Sequence, residues 1–470
     1  MIQQEHLDYV TSIVGSENVK SDKAHLIAFC YDATRTRFEP DAVVFPRHKQ
    51  DISDILKYCN EHGIVIVPRG AGSGFTGGAL PASGGIILSL ERHMNKLLEI
   101  DMENMVGVVQ PGLINMEFQK AVEAVGLFYP PDPASEEYST LGGNVSENAG
   151  GMRAAKYGIT KDYVMALRAV LPNGDIIVAG KRTIKDVAGY NVAGILIASE
   201  GTLAIITEIT LKLIPKPKFK QTYMGVFPSV DTAMTAVFKS LAAGANPVAM
   251  EFLDALVIKA LKQKFPQVQL PDNAGGILVG DVDASSLAEI DSQLQTLKES
   301  FAANGSTEFI IARDEEEGKK LWFARRNASP ATMIYGTKKL NEDISVPRSK
   351  LPVALDGIYK IGEKYGFQVP CFGHAGDGNI HVNVMVKDKT NEKEMEDGHK
   401  AIEEIFQYVV DLGGTLSGEH GIGTSKAPFM HIAFTEVEMN LFRNIKKAFD
   451  PNNILNPFKM GLWWFNEWNR

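Results

Sequence analysis

Between Pro68 and Gly78 the chain reads Pro68-Arg69-Gly70-Ala71-Gly72-Ser73-Gly74-Phe75-Thr76-Gly77-Gly78. No other stretch restricts the fold as strongly. Glycine frees the backbone for positive φ and lets main-chain N–H groups approach an anion closely. The β-branched run Ile64 to Val67 before the loop reads as a strand. Gly72, Gly74 and Gly77 fit G-x-G-x-x-G, so a dinucleotide-binding Rossmann turn must be weighed. That turn needs a helix directly behind it, with its N-terminus toward the phosphates. Here Gly78-Ala79-Leu80-Pro81-Ala82-Ser83-Gly84-Gly85 leads into a second apolar run, Ile86 to Leu90. The pattern predicts an anion-cradling loop between two strands. The alternative is a plain structural connection, which rarely needs glycine at Gly70, Gly72, Gly74, Gly77 and Gly78 together.

The chain around this loop has 470 residues, enough for two or three domains. Hydrophobic residues at 44% and charged residues at 22% give the balance of a soluble globular protein. Lys plus Arg is 48 against 57 for Asp plus Glu, a net charge of -9, which suits nucleic acid poorly. Three cysteines exclude a disulfide scaffold and a four-Cys zinc or iron–sulfur site, and point to a reducing, cytoplasmic compartment. The polar start Met1-Ile2-Gln3-Gln4-Glu5-His6 does not read as a signal sequence. No apolar run approaches the ~20 residues that span a bilayer. Membrane contact is expected to be peripheral at most.

Local patterns divide the chain. Ala42 to Phe45 and Val106 to Val109 read as strands. Asp51 to His62 reads as a helix with Ile52, Ile55, Leu56 and Cys59 on one face and Gly63 as its stop. Cys59 is therefore expected in the core. A strand run ends at Thr210 to Ile214, and Pro215-Lys216-Pro217-Lys218 marks a boundary. Glu394 to Leu412 reads as an amphipathic helix that turns Ile402, Ile405, Phe406, Val409 and Val410 inward, ended by Gly413-Gly414. Thr435 to Glu438 is a capping box. The aromatic tail Leu462-Trp463-Trp464-Phe465-Asn466-Glu467-Trp468 either docks a partner or packs on its own protein.

The strongest chemical signal is Phe372-Gly373-His374-Ala375-Gly376-Asp377-Gly378-Asn379-Ile380-His381-Val382-Asn383. Gly-Asp-Gly-Asn is turn chemistry, which would fold His374 and His381 toward one another. Asp377 is expected to cap backbone N–H groups there. His381 and Asn383 share one face of a strand. A second piece, Ser417-Gly418-Glu419-His420-Gly421, sets an acid and a histidine among glycines. Two His and a carboxylate suit a metal with open positions; a hydrogen-bonded turn histidine is the other reading of His374. In Leu321-Trp322-Phe323-Ala324-Arg325-Arg326, arginine offers a bidentate grip on a carboxylate. The alternative is a pair of solvated arginines on a helix.

The loop at Pro68 to Gly78, with Gly84-Gly85 and the strand behind it, resembles the FAD-binding loop of the vanillyl-alcohol oxidase/PCMH flavoprotein superfamily. Pro130-Pro131-Asp132-Pro133-Ala134-Ser135, Thr140 to Asn144, Asn148 to Gly151, Glu200 to Thr207 and Asn456-Pro457 resemble it too. The resemblance implies an α+β fold: a split PCMH-type FAD-binding domain of two α+β subdomains with an inserted α+β cap. The expected divisions are 1–218 for the FAD domain, 219–412 for the cap or substrate domain, and 413–470 for a segment that returns to the FAD domain. FAD is expected on Pro68, Arg69, Gly70, Gly72, Ser73, Gly74, Thr76, Gly77 and Gly78; on Pro131, Ser135, Thr140, Gly142, Gly143 and Asn144; and on Asn148, Gly150, Gly151, Glu200, Gly201, Ile206 and Asn456. Some relatives attach FAD covalently through a His that falls at Ser73 here, so non-covalent FAD is implied.

His374 and His381 with Glu419-His420 resemble the C-terminal signature of the FAD-linked D-2-hydroxyacid dehydrogenase branch, which takes in D-lactate dehydrogenases and the flavoprotein of glycolate oxidase. The resemblance implies His374, His381 and Glu419 as ligands of a divalent metal, with zinc the expected ion. It implies His420 as the base, Arg325 as the substrate arginine of a W-x-x-R element, and Asn383 at the substrate or ligand sphere. The 2-hydroxyglutarate enzymes place a lysine where Asn341 stands here, with Lys338 and Lys339 nearby, which favours D-lactate or glycolate. The implied activity is oxidation of the hydroxyacid to the 2-oxoacid with hydride passing to flavin N5. The chain has no ferredoxin cysteine pattern or haem motif, so electrons would leave to an external acceptor: an iron–sulfur subunit, an electron-transfer flavoprotein, a cytochrome or a quinone. The alternative is an FAD-binding accessory subunit of a multi-subunit oxidase complex without its own turnover.

Overall fold

The computed structural model describes residues 2–462 except Gln269. The chain forms two compact units. One comprises Met1–Gly150, Ile159–Lys216 and Glu419–Arg470; the other comprises Gly151–Gly158 and Pro217–Gly418. The aromatic tail beyond Leu462 lies outside the described residues.

The first unit has two main sheets. The four-stranded sheet runs in the order Val19–Lys20, Ala42–Val44, Ile86–Ser89, Ile66–Arg69, and its last three strands are parallel. Those strands are mostly β-branched and buried, as parallel strands covered on both faces must be. The helices Gln4–Val14 and Lys49–His62 cover the sheet, and Leu7, Val10, Val14, Ile52, Ile55, Leu56 and Cys59 join its core. The expected helix stop holds: Gly63 adopts φ 64° at the C-terminus of Lys49–His62. Burial pushes the Cys59 thiol up to about 12, so this sulfur is core and not a nucleophile. The loop after Ile66–Arg69 runs into the next strand without a helix, which excludes the Rossmann turn.

The second sheet is antiparallel, in the order Leu97–Asp101, Val106–Val109, Ile205–Lys212, Val164–Val170, Ile176–Gly180. The C-terminal stretch returns to the first sheet, where Asn456 N–H donates to Ile66 O at 2.8 Å and Ile66 N–H donates to Ile454 O at 2.8 Å. A buried ammonium fastens this return. Lys446 donates to Thr202 O and Leu455 O, each at 2.7 Å, and pairs with Asp450 at 2.5 Å. The helix before it, Glu436–Phe449, opens with the expected Thr435–Glu438 capping box.

The second unit is built on a seven-stranded antiparallel sheet in the order Glu308–Ile311, Phe219–Phe227, Gly276–Ala284, Ala249–Asp254, Cys371–His374, Asn379–Val386, Lys338–Ser345. Leu253 and Phe372 pack with Ala324 of helix Glu315–Arg326 and with Val257 and Leu261 of helix Ala255–Lys264. The amphipathic helix forms as Glu392–Asp411 and buries Ile402, Ile405, Phe406 and Val409; Val410 is half-buried. Among the described residues no helix is long and apolar enough to cross a membrane.

Candidate active site

In the first unit, the glycine loop lines a cleft with about 560 Å³ of space including its open mouth. Of the residues expected to hold FAD, Pro68, Arg69, Gly70, Gly78, Thr140, Gly142, Gly143, Glu200, Gly201 and Ile206 line it. Gly201 sits at φ +67, and a Cβ there would come 2.5 Å from Pro68 Cγ, so only glycine lets these two walls meet. None of the main-chain N–H groups from Gly70 to Thr76 has a hydrogen-bond partner among the described residues. Successive open N–H groups suit an anionic ligand such as a pyrophosphate. Glu147 Oε2, also in the cleft wall, is buried with no hydrogen-bond partner. The donor set, the glycine walls and this orphaned oxygen fit a bound FAD.

The remaining expected residues lie outside its lining. Pro131 O accepts from Asn115 Nδ2 at 3.1 Å and Gln119 Nε2 at 2.9 Å. Asn144 donates to Asn115 at 3.1 Å. Asn148 accepts from Lys161 N–H at 2.9 Å. Asn456 donates to Gly78 O at 2.9 Å and Glu200 O at 2.7 Å, tying the C-terminal return to both cleft walls. Gly72, Ser73, Gly74, Thr76, Gly77, Ser135 and Gly150 lie in the first unit outside the cavity lining, and Gly151 opens the short segment that belongs to the second unit.

Two charged groups here, Glu147 and Lys459, were not singled out by sequence reasoning. Burial drives the Glu147 carboxyl well above the ordinary range, and the nearby Glu200 charge adds to it. Burial also raises Glu200, although Ile422 and Gly423 N–H donate to it at 2.7 Å each. Burial lowers the Lys459 ammonium to about 8; its Nζ donates to Leu80 O at 2.8 Å.

Glu200 thereby binds the segment that follows Glu419-His420. Thr424 and Ser425 N–H also donate to Thr76 O, at 2.8 and 3.0 Å. The His420 ring stacks on Phe75 of the glycine loop, with centroids 5.2 Å apart. A histidine far away in sequence thus rests on the loop itself.

In the second unit, Cys371–His374 and Asn379–Val386 form the expected hairpin. Gly378 turns it at φ +93, and Asp377 accepts from Asn379 N–H at 3.1 Å, as its capping role requires. The turn brings His374 Nε2 within 3.4 Å of His381 Nε2. Each ring has an acid directly across the sheet ladder: Glu251 faces His374, and Asp343 faces His381. Glu251 Oε1 lies 2.8 Å from His374 Nδ1, and Asp343 Oδ1 lies 4.0 Å from His381 Nδ1. The carboxylate bonded to His374 Nδ1 turns the Nε2 lone pair of that ring forward. Two nitrogens bound to one tetrahedral zinc at 2.0–2.1 Å stand about 3.3–3.4 Å apart. The pair therefore fits two ligands of such an ion.

Arg325 Nε donates to Glu251 Oε2 at 2.7 Å, and its guanidinium lies 5.0 Å from the Phe372 ring centre. No described residue accepts from its two Nη groups. Asn383 is fully buried: its amide donates to Pro370 O and His381 O, and its oxygen accepts from Asn341 at 2.9 Å. Glu251 and Asp343 were missed as site residues. For Glu251 the sequence signal is an acid among the apolar residues Ala249, Met250, Phe252 and Leu253; Asp343, in the polar run Lys338–Ser345, carries no such signal.

Residues 216–460 match the family model of the FAD linked oxidases, C-terminal domain, and residues 40–180 match the FAD binding domain. The chain is 40% identical to the glycolate oxidase subunit GlcD of Bacillus subtilis, over 98% of this chain and 97% of that protein. It is 34% identical to a D-lactate dehydrogenase of Anaerostipes hadrus, over 95% of this chain and 94% of that protein. In fold it is similar to p-cresol methylhydroxylase, with a TM-score of 0.79 at 18% identity, covering 98% of both chains. The chain belongs to the FAD-linked oxidases and is an FAD-binding oxidoreductase of the type of its GlcD and D-lactate dehydrogenase relatives.

Proposed function

We propose that the protein oxidises a D-2-hydroxyacid, with D-lactate or glycolate favoured, to the 2-oxoacid and passes the electrons to an external acceptor. The observation that carries this reading is the binding of the Glu419–Ser425 segment to the glycine loop, with His420 against Phe75. It sets a general-base candidate beside the cofactor loop. When bound, FAD would accept the hydride from substrate C2 at N5, and a divalent metal, zinc in this reading, would acidify the substrate hydroxyl.

The chain's own residues do the rest. His374, His381 and Glu419 serve as metal ligands; Glu419 enters the set on its sequence motif. His420 takes the hydroxyl proton as the general base. Arg325 grips the substrate carboxylate through its two Nη groups. Asn383, with its amide fully engaged, acts by holding the His381 strand. Asn341, held by Asn383, stands where the 2-hydroxyglutarate enzymes place a lysine, which favours a monocarboxylate, although Lys338 and Lys339 are close.

The test is an anaerobic flavin-bleaching panel of D-lactate, L-lactate, glycolate and D-2-hydroxyglutarate on purified protein, before and after chelation. Bleaching by D-lactate or glycolate that chelation abolishes is expected. The name of the B. subtilis relative, an oxidase subunit, favours one second reading: an accessory subunit without turnover. A yellow, metal-loaded protein that none of the four acids bleaches would point to that reading or to a substrate outside this class. Iron–sulfur protein, electron-transfer flavoprotein, cytochrome and quinone, offered in turn to the reduced protein, would identify the acceptor.

A further inference from the structure

Glu251 is fully buried on a strand whose neighbours Ala249, Met250, Phe252 and Leu253 are apolar. A carboxyl group buried there needs both oxygens satisfied. They are, and by two side chains that the proposed chemistry uses for different ends. Oε1 meets His374 Nδ1 at 2.8 Å, and Oε2 accepts from Arg325 Nε at 2.7 Å.

We propose that Glu251 is a positioning residue that sets the metal-ligand histidine and the substrate-carboxylate arginine from one point. This rests on the function proposed above. Two features of the geometry support it. Cross-strand register, Glu251 opposite His374, leaves the acid no choice of partner on that side. An N–H at His374 Nδ1 then fixes the tautomer and leaves Nε2 as the ligand atom, opposite His381 Nε2. On the other side, the grip on Nε and the face of Phe372 orient the guanidinium and leave its Nη edge for a ligand.

A 2-hydroxyacid carries its hydroxyl and carboxylate on adjacent carbons. A site that takes the hydroxyl at a metal and the carboxylate at an arginine must hold the two groups in fixed relation. A displacement of about 1 Å can lower the rate by about 100-fold. One buried acid bonded to both fixes that relation more tightly than two independent supports.

The test uses Glu251→Gln in the FAD-loaded full chain. Its single carbonyl oxygen can accept from only one partner, while its NH₂ meets the other donor. Tenfold or greater loss of zinc affinity in a chelator competition is expected, with unchanged FAD content. Saturating zinc should restore metal occupancy, yet KM for D-lactate or glycolate should stay tenfold or more above wild type. Wild-type zinc retention, or a wild-type KM once zinc is restored, overturns the shared role. If Glu251→Gln does not fold, Glu251→Asp takes its place. Its shorter carboxylate cannot reach both groups, so wild-type behaviour in both measurements would again overturn it. A wild-type protein without metal, or unbleached by any hydroxyacid, removes the underlying function and this role with it. A normal wild type beside an unaffected variant removes this role alone.

Discussion

The His420 imidazole lies against the Phe75 ring, 5.2 Å between centroids and 28° from parallel. Phe75 belongs to the glycine loop, and His420 to the segment that Glu200 and Thr76 bind through backbone N–H groups. The loop that fits the cofactor and the residue proposed as base are therefore parts of one compact unit.

His420→Ala should keep FAD and lose flavin reduction. General-base catalysis contributes roughly 10²–10⁴-fold, and the loss in anaerobic reduction rate should fall in that range. Stopped-flow bleaching reads it. A variant that bleaches at the wild-type rate removes His420 from the mechanism.

His374→Ala should lose bound metal, because it deletes one of two converging Nε2 atoms. Elemental analysis after dialysis checks this. Unchanged metal content would take His374 out of the ligand set.

Arg325→Lys keeps the charge and discards the planar fork. A lost charge-assisted hydrogen bond is worth about 1.5–3 kcal/mol, so KM for the hydroxyacid should rise about 10- to 100-fold. Steady-state kinetics at saturating acceptor decides the point, since an arginine that only braces Glu251 would leave KM largely unmoved at full metal loading.

Asp254 gives the fold a pH dependence. Burial outweighs its hydrogen bonds from Val257 N–H, Cys371 N–H and Tyr359 and raises its carboxyl from 3.8 to about 6. Between those values the folded chain binds more protons than the unfolded one, so stability falls as pH rises. The contribution is present in full below about pH 4 and lost above about pH 6, on the order of 3 kcal/mol. Asp254→Asn lacks this titration. The stability of wild type relative to Asp254→Asn, from urea midpoints, should therefore fall between pH 4 and pH 7.

Lys446→Met should destabilise the first unit by about 3–5 kcal/mol, because it strands the buried Asp450 carboxylate and two carbonyls. Thermal melting and limited proteolysis near the C-terminal return would both register it.

Much of this protein was legible in its residues because the relevant signals are local. The helix at Lys49–His62, its glycine stop, the Thr435 capping box and the hairpin turn at Asp377-Gly378 depend on neighbours within a few positions. The exclusion of a Rossmann turn was equally local, for it needed only the absence of a helix after Gly78. The likeness of the glycine-rich segments to flavoproteins supplied the cofactor, and the family matches agree.

Tertiary structure decided which acids stand behind which imidazoles. Glu251 and His374 become neighbours only when Ala249–Asp254 pairs with Cys371–His374, and Asp343 meets His381 only through the register of Lys338–Ser345 on Asn379–Val386. A single acid in an apolar strand announces burial, but its partner is chosen by strand order and register. Those follow from how the whole apolar surface is covered, which no local run of residues encodes. The W-x-x-R resemblance already singled out Arg325 from Arg326; what the packing of that helix on the sheet added is its partner, Glu251.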